Sequence, residues 1–390
     1  MTALERLRSE PFRLFFPLGV VLSWAGVGPW LLFGWGLTEE YRSIFHAMTQ
    51  VQGFLMCFAA GFLTTMLPRR TESPPVSLGV LALCLLSPVA ITVAAWREAW
   101  AVAQMFWLVF AFALLAFTVP RLGPMLGKRR PPVSFVWIPA ALLSGIVGAV
   151  ATGAGAALGD GYWTLHELGR GLALQGLFVG LVLGVGSFAI PLMTRGEAAP
   201  DATARGRELR VWAGHISAIV LLFASFAIET WSSVRLGLAL RGAVAWAVLL
   251  LVARIHRPPN RPGVIRWSIW LAAWCVPLGY TVATLSPLGV KGPLHITFIG
   301  GFGLLALSVG SQVILGHGGY ERLKAGRPWP LLAVTAALLL AATARLLMVA
   351  REVELLRWTA WAAGLFLVAT VLWVAYLVPK LFRQPRDEER

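Results

Sequence analysis

Apolar positions along this chain neither alternate nor recur only every third or fourth residue; they run on for about twenty residues between short breaks of Gly, Pro and charge. Uninterrupted runs of that length predict membrane-crossing α-helices, since about twenty residues at 1.5 Å each cover the hydrocarbon layer. They fall near 14–36, 43–67, 76–96, 99–120, 133–157, 168–193, 211–231, 234–255, 264–285, 291–316, 329–349 and 354–378. The pattern predicts an all-α polytopic membrane protein of about 12 transmembrane helices, a single integral membrane domain over 1–390. Pro68-Arg69-Arg70 and Arg257-Pro258-Pro259-Asn260-Arg261-Pro262 are typical of the breaks, combining helix-ending Pro with charge. A transmembrane β-barrel would instead show alternation over about ten residues.

Composition sharpens this reading. At 58% hydrophobic and 13% charged, the chain is too apolar for one water-soluble core, which excludes a soluble enzyme and a disordered chain. A net charge of +15 would suggest nucleic acid in a soluble protein. Here the cations sit between apolar runs, so they describe topology, the partner is the lipid bilayer, and no nucleic acid is expected. Arg and Lys crowd the segments on the side of the N-terminus (Arg6, Arg8, Arg13, Arg69, Arg70, Lys128, Arg129, Arg130) and are sparse on the other (Arg42, Arg97, Arg170, Arg235, Lys291, Arg351, Arg357), which predicts an N-in/C-in orientation. Residues Met1 to Arg13 are too polar for a signal peptide, so the first span is expected to remain. Cys57, Cys84 and Cys275 lie in separate apolar runs and form neither a disulfide framework nor a zinc pattern.

Ionisable groups at membrane depth are costly and are functional candidates for that reason. Six histidines stand out: His46 at the outer end of the second span, His166 in an outer loop, His215 early in the seventh span, His256 in a basic inner loop, and His295 and His317 at the two ends of the tenth. His295 and His317 are 22 residues apart, which on a regular helix leaves them about 40° from eclipsed and about 33 Å apart. On the second span, His46, Gln50, Gly53, Cys57, Gly61 and Thr64 form a small or polar stripe expected to face the bundle interior. Equal depth pairs His46 with His295 on the outer side, and His215 with His317 on the inner, as axial candidates for haem iron. The plainer reading is that each is an interfacial or hydrogen-bonded histidine. Glu229, Arg241 and Arg345 either form an ion pair or snorkel, or the arginines neutralise haem propionates. Gly176, Gly180 and Gly184 read as a helix-packing seam.

A set of motifs in order along the chain carries a resemblance: Glu10-Pro-Phe-Arg-Leu-Phe-Phe16, Phe45-His-Ala-Met48, Gly61-Phe-Leu-Thr-Thr-Met-Leu-Pro68, Gly184-Val-Gly-Ser-Phe-Ala-Ile-Pro191, Leu294-His295, Leu315-Gly-His-Gly-Gly319, Tyr376-Leu-Val-Pro379 and Pro385-Arg-Asp387. Together they resemble the NnrS family. The resemblance implies a twelve-helix protein of the bacterial cytoplasmic (inner) membrane that binds haem b and copper and is linked to nitric oxide and denitrification. His46 matches the first histidine of the family's second-span segment, and His295 and His317 match those that begin and end its tenth-span signature. Where the family pattern has a second histidine and a glutamate, this chain has Met48 and Thr49; the family's Met-Thr-Arg reads Gly310-Ser311-Gln312, and Tyr320 stands where arginine is usual. Met48 offers copper or iron a soft thioether in place of an imidazole.

These readings converge on a haem-binding membrane protein, a candidate oxidoreductase acting on nitric oxide with a respiratory electron donor. The expected cofactor residues are His46, His295, His215, His317, Arg241 and Arg345, with Met48 and the four histidines as metal ligands. Two other classes stay open. A twelve-helix secondary transporter has the same span count, although the loop Pro68–Pro75 lacks an Asp-Arg-x-Gly-Arg pattern and no repeat relates the two halves. A non-catalytic haem sensor or assembly factor would share every feature above.

Overall fold

The computed structural model describes residues 2–40, 42–197, 205–350 and 354–383. Arg351, the stretch 198–204 of the connection after the sixth span, and the closing Pro385-Arg386-Asp387 lie outside the described residues. Among the described residues twelve helices are long and apolar enough to cross a membrane. They are α1 (Phe12–Gly34), α2 (Ser43–Thr71), α3 (Leu78–Trp96), α4 (Trp100–Leu122), α5 (Val133–Leu158), α6 (Trp163–Arg195), α7 (Glu208–Trp231), α8 (Val234–Leu251), α9 (Val264–Leu285), α10 (Lys291–Gly318), α11 (Trp329–Met348) and α12 (Leu355–Leu381). An even number of crossings brings the chain ends to one face, called here the termini face, and the even-numbered helices all begin at the opposite, far face.

Three helices differ from the rest. α2, α6 and α10 run for 29, 33 and 28 residues and are 89%, 83% and 72% enclosed by protein, against 28–61% for the other nine. Each also contains a π-helical stretch near its far-face end: Thr49–Leu55, Leu172–Gly176 and Ile296–Gly303. A π turn inserts one residue beyond the α repeat, which widens the helix and redirects the side chains around it. The lipid-facing helices, by contrast, carry exposed Leu, Val, Phe and Trp, as hydrocarbon contact requires.

The helices form three groups of four. In each group the first packs on the second and the third on the fourth: α1 on α2 and α3 on α4, α5 on α6 and α7 on α8, α9 on α10 and α11 on α12. Contacts of α4 with α5, α8 with α9 and α12 with α1 join the groups into a closed ring. The three enclosed helices meet in the middle: the rings of Phe178 and Phe302 approach to 4.9 Å, the Arg70 guanidinium lies 5.6 Å from the Phe188 ring, and Phe58 covers Gly310.

Small residues make the close approaches possible. The glycine ladder of α6 is a packing seam: Gly176 sits against Ser144, Gly180 against Ala141 and Gly184 against Trp137, all of α5. At the ring closure a Cβ on Gly34 would lie 2.6 Å from the backbone nitrogen of Ala360, so only glycine lets α1 and α12 meet there.

Candidate functional site

At the far-face ends of the enclosed helices lies a cavity of about 1140 Å³, just above the range of about 300–1,000 Å³ usual for ligand sites. Its walls are mostly apolar, including Phe54, Phe298 and Phe366, and it reaches the α3–α4 connection at Glu98 and Ala99. Three imidazoles line it: His46 from α2, His166 from α6 and His295 from α10.

Each of these rings is held in the same way. Nδ1 of His46 donates to the Gly26 carbonyl at 2.9 Å, Nδ1 of His166 to the Thr152 carbonyl at 3.1 Å, and Nδ1 of His295 to the Lys291 carbonyl at 2.7 Å. A carbonyl only accepts, so in the neutral ring the proton sits on Nδ1 and Nε2 keeps its lone pair. That second-shell arrangement fixes the orientation of a metal-ligating histidine. Aromatic neighbours steady the rings further: Trp30 meets His46 edge-on at 5.4 Å, Phe298 meets His295 at 5.8 Å, and Trp163 stacks on His166 at 4.9 Å. His46, His295 and Arg345 lie close enough to act on one another electrostatically.

Met48 is almost fully buried on the same wall, and the amide of Gln104 approaches its sulfur at 3.9 Å. Gln52 donates to Gln104 at 3.4 Å, while its own carbonyl oxygen and the Thr49 hydroxyl are buried without a protein partner. Among the described residues no three His, Cys, Asp or Glu side chains gather into a non-haem metal site.

The cations divide between two roles. Arg345, Arg170 and Lys291 line the cavity, Arg345 lying 5.5 Å from the Trp30 ring. Arg241 is fully buried and does not line it. Its guanidinium donates to Ser225 at 3.2 Å, to Gln175 at 2.9 Å and to Glu229 at 2.5 Å, and it stacks 3.5 Å from the Phe226 ring. Glu229 and Gln175 do face the cavity, so Arg241 acts on it only through them.

His215 and His317 are not brought together. His215 accepts a hydrogen bond at Nδ1 from the Trp137 indole, 3.1 Å away. His317 lies at the termini face, its Nε2 accepting from Arg69 at 3.1 Å and its Nδ1 donating to Glu10 at 3.2 Å. Both of its nitrogens are therefore engaged. Glu10 precedes α1 and gathers Arg13, Arg69 and His317 around it. Burial alone would raise its carboxyl, but the hydrogen bonds from His317 and Arg13 and the charge of Arg13 outweigh this and hold it down at about 2.

His166 is the cavity residue that sequence reasoning left in a loop. The helix begins at Trp163, so His166 falls in its first turn. A signal was available: Gln52-Gly53, Gly61 and Pro68 in α2 recur with equal spacing as Gln175-Gly176, Gly184 and Pro191 in α6, which makes the two helices counterparts. In comparisons with known proteins, the family described as NnrS protein matches residues 6–386. No curated protein matches the chain.

Proposed function

The chain belongs to the NnrS family, and from that premise we propose that it is a haem-binding membrane protein acting in nitric-oxide chemistry or related respiratory redox chemistry. The observation that carries this reading is the shared anchoring of His46 and His295 on one cavity, each with Nδ1 on a backbone carbonyl and Nε2 left with its lone pair. The residues suit haem b: imidazole donors, apolar aromatic walls for a porphyrin, and Arg345, Arg170 and Lys291 for its carboxylates. Haem would supply an iron that binds a diatomic ligand or passes one electron at a time.

The chain's own residues do the rest. His46 and His295 would hold iron through Nε2, their planes set by the Gly26 and Lys291 carbonyls. Phe54, Phe298 and Phe366 keep water from the faces of the site, which lowers its dielectric. Copper is a different case: no three His, Cys, Asp or Glu side chains cluster among the described residues, Met48 and His166 are the donors that haem leaves over on the cavity, and no copper step is proposed. The crowding of Arg and Lys at the termini face supports placing that face in the cytoplasm of a bacterial inner membrane.

The test is the visible spectrum of the protein purified in detergent. A sharp Soret band that shifts on reduction, and shifts again on adding nitric oxide, is expected. A colourless protein after expression with ample haem would overturn the reading in favour of a transporter.

A further inference from the structure

The termini-face ends of α2, α6 and α10 leave a second pocket between them, of about 420 Å³. It lies beyond the enclosed middle of the bundle from the far-face cavity and shares no lining residue with it. Two surfaces make it up. Phe62 and Met66 of α2 and Phe188 and Met193 of α6 give the slot its apolar walls, while Arg69, Arg70, Gln312 and His317 bring polar groups to it.

The polar groups are unequally satisfied. Arg69 uses one terminal nitrogen on His317 and the other on Glu10, at 3.1 and 3.4 Å, and a guanidinium has five N–H donors in all. Its side chain is 52% exposed, which marks the pocket mouth. The carbonyl oxygen of Gln312 is buried with no donor in the protein. A buried acceptor left unpaired costs about 1–3 kcal/mol, so the site calls for a ligand that brings an O–H to Gln312. The same ligand needs an oxygen for Arg69 and a flat apolar body for the slot.

We infer that this pocket binds a hydroquinone ring, the head of a lipid-soluble quinol, with one ring hydroxyl donated to Gln312 and a ring oxygen meeting Arg69. A lipid phosphodiester fits less well. Its phosphate brings only acceptors, a headgroup hydroxyl such as that of phosphatidylglycerol carries no flat apolar body, and Glu10 already balances one of the two arginines. The inference deepens the redox reading above: on oxidation the ring would release its two hydroxyl protons to water at the Arg69 mouth and its two electrons, one at a time, to the ferric haem iron proposed for the far cavity, two ferric equivalents becoming ferrous for each quinol that becomes quinone. Binding itself does not depend on what fills the far cavity.

The experiment uses the full chain in detergent, titrated with decyl-ubiquinol and with decyl-ubiquinone by calorimetry, with haem content measured on the same samples. The reduced form should bind about tenfold more tightly, the worth of one buried hydrogen bond. Gln312→Leu should bring the two forms to equal affinity with an unchanged melting temperature, and Met193→Trp should abolish binding of both by filling the slot. Absence of saturable quinol binding, affinities unchanged in both variants, or displacement of quinol by inorganic phosphate or phosphatidylglycerol would each overturn it. Quinol binding in a preparation without haem would leave this inference standing and remove the haem reading instead; haem without quinol binding would do the reverse.

Discussion

Gly26 on α1 accepts the Nδ1 proton of His46 on α2 across 2.9 Å, so the angle of one candidate ligand is set by the seat of a neighbouring helix. The counterpart bond of His295 is made within its own helix, to Lys291 one turn earlier. The two rings are thus fixed independently. His46→Ala and His295→Ala are each expected to lose the sharp bis-imidazole bands, whereas His166→Ala should keep them. Visible spectra of the three purified variants check this, and intact bands in the first two would remove the proposed site.

The Arg241–Glu229 pair predicts an asymmetric pattern in stability. Arg241 is fully buried while Glu229 is partly open to the cavity. Arg241→Leu should destabilise the protein by about 3 kcal/mol, because it strands a carboxylate at membrane depth. Adding Glu229→Gln should recover part of that loss. Thermal unfolding of both single variants and the double variant measures the coupling, and additive losses would mean that the pair contributes nothing as a pair.

Glu10 gives the termini face an acid limit. Its folded value of about 2 lies below the 4.5 of a free carboxyl, so its stabilisation is complete above about pH 4.5 and is lost as pH falls toward 2. The gap corresponds to at most about 3 kcal/mol, which screening by water at this partly open site reduces to about 1 kcal/mol. Wild-type stability should therefore be level from pH 7 to 5 and drop below that, while Glu10→Gln should start lower and vary less. Urea titrations in detergent at pH 7, 5 and 3 would show it; parallel curves for the two proteins would count against the assignment.

Gly34 predicts a steric effect at the ring closure. Gly34→Val drives a side chain into the backbone of Ala360 and should cost about 1–3 kcal/mol. Gly28 has open space around it, so the same substitution there should cost less. Comparing the two melting temperatures separates steric clash from the general effect of replacing a helical glycine.

The hydrophobic runs were long enough to yield all twelve spans, because crossing a bilayer leaves a signal that needs no tertiary knowledge. The common depth of His46 and His295 was also legible, since it depends only on distance from the helix ends. The rotational arithmetic was not. A constant 100° per residue applies to an α-helix, but Ile296–Gly303 is π-helical and lies between His295 and His317, so the 40° offset does not carry across it. The same holds for the stripe beginning at His46, which crosses Thr49–Leu55. A repeat was sought between halves, whereas the one present in the sequence links the first third to the second, visible once Gln52-Gly53 is set beside Gln175-Gly176. Arg241 read equally well as a propionate partner or as half of an ion pair, because only packing reveals that its nitrogens are already taken by Ser225, Gln175 and Glu229.

The contact of α12 with α1 also bears on how the molecule is made. On the ribosome α1 emerges first, and it must wait, with one flank bare in the bilayer, until α12 follows the other eleven helices. Phe366 of α12 is part of the far-face cavity wall, so that chamber has a gap in its side throughout translation.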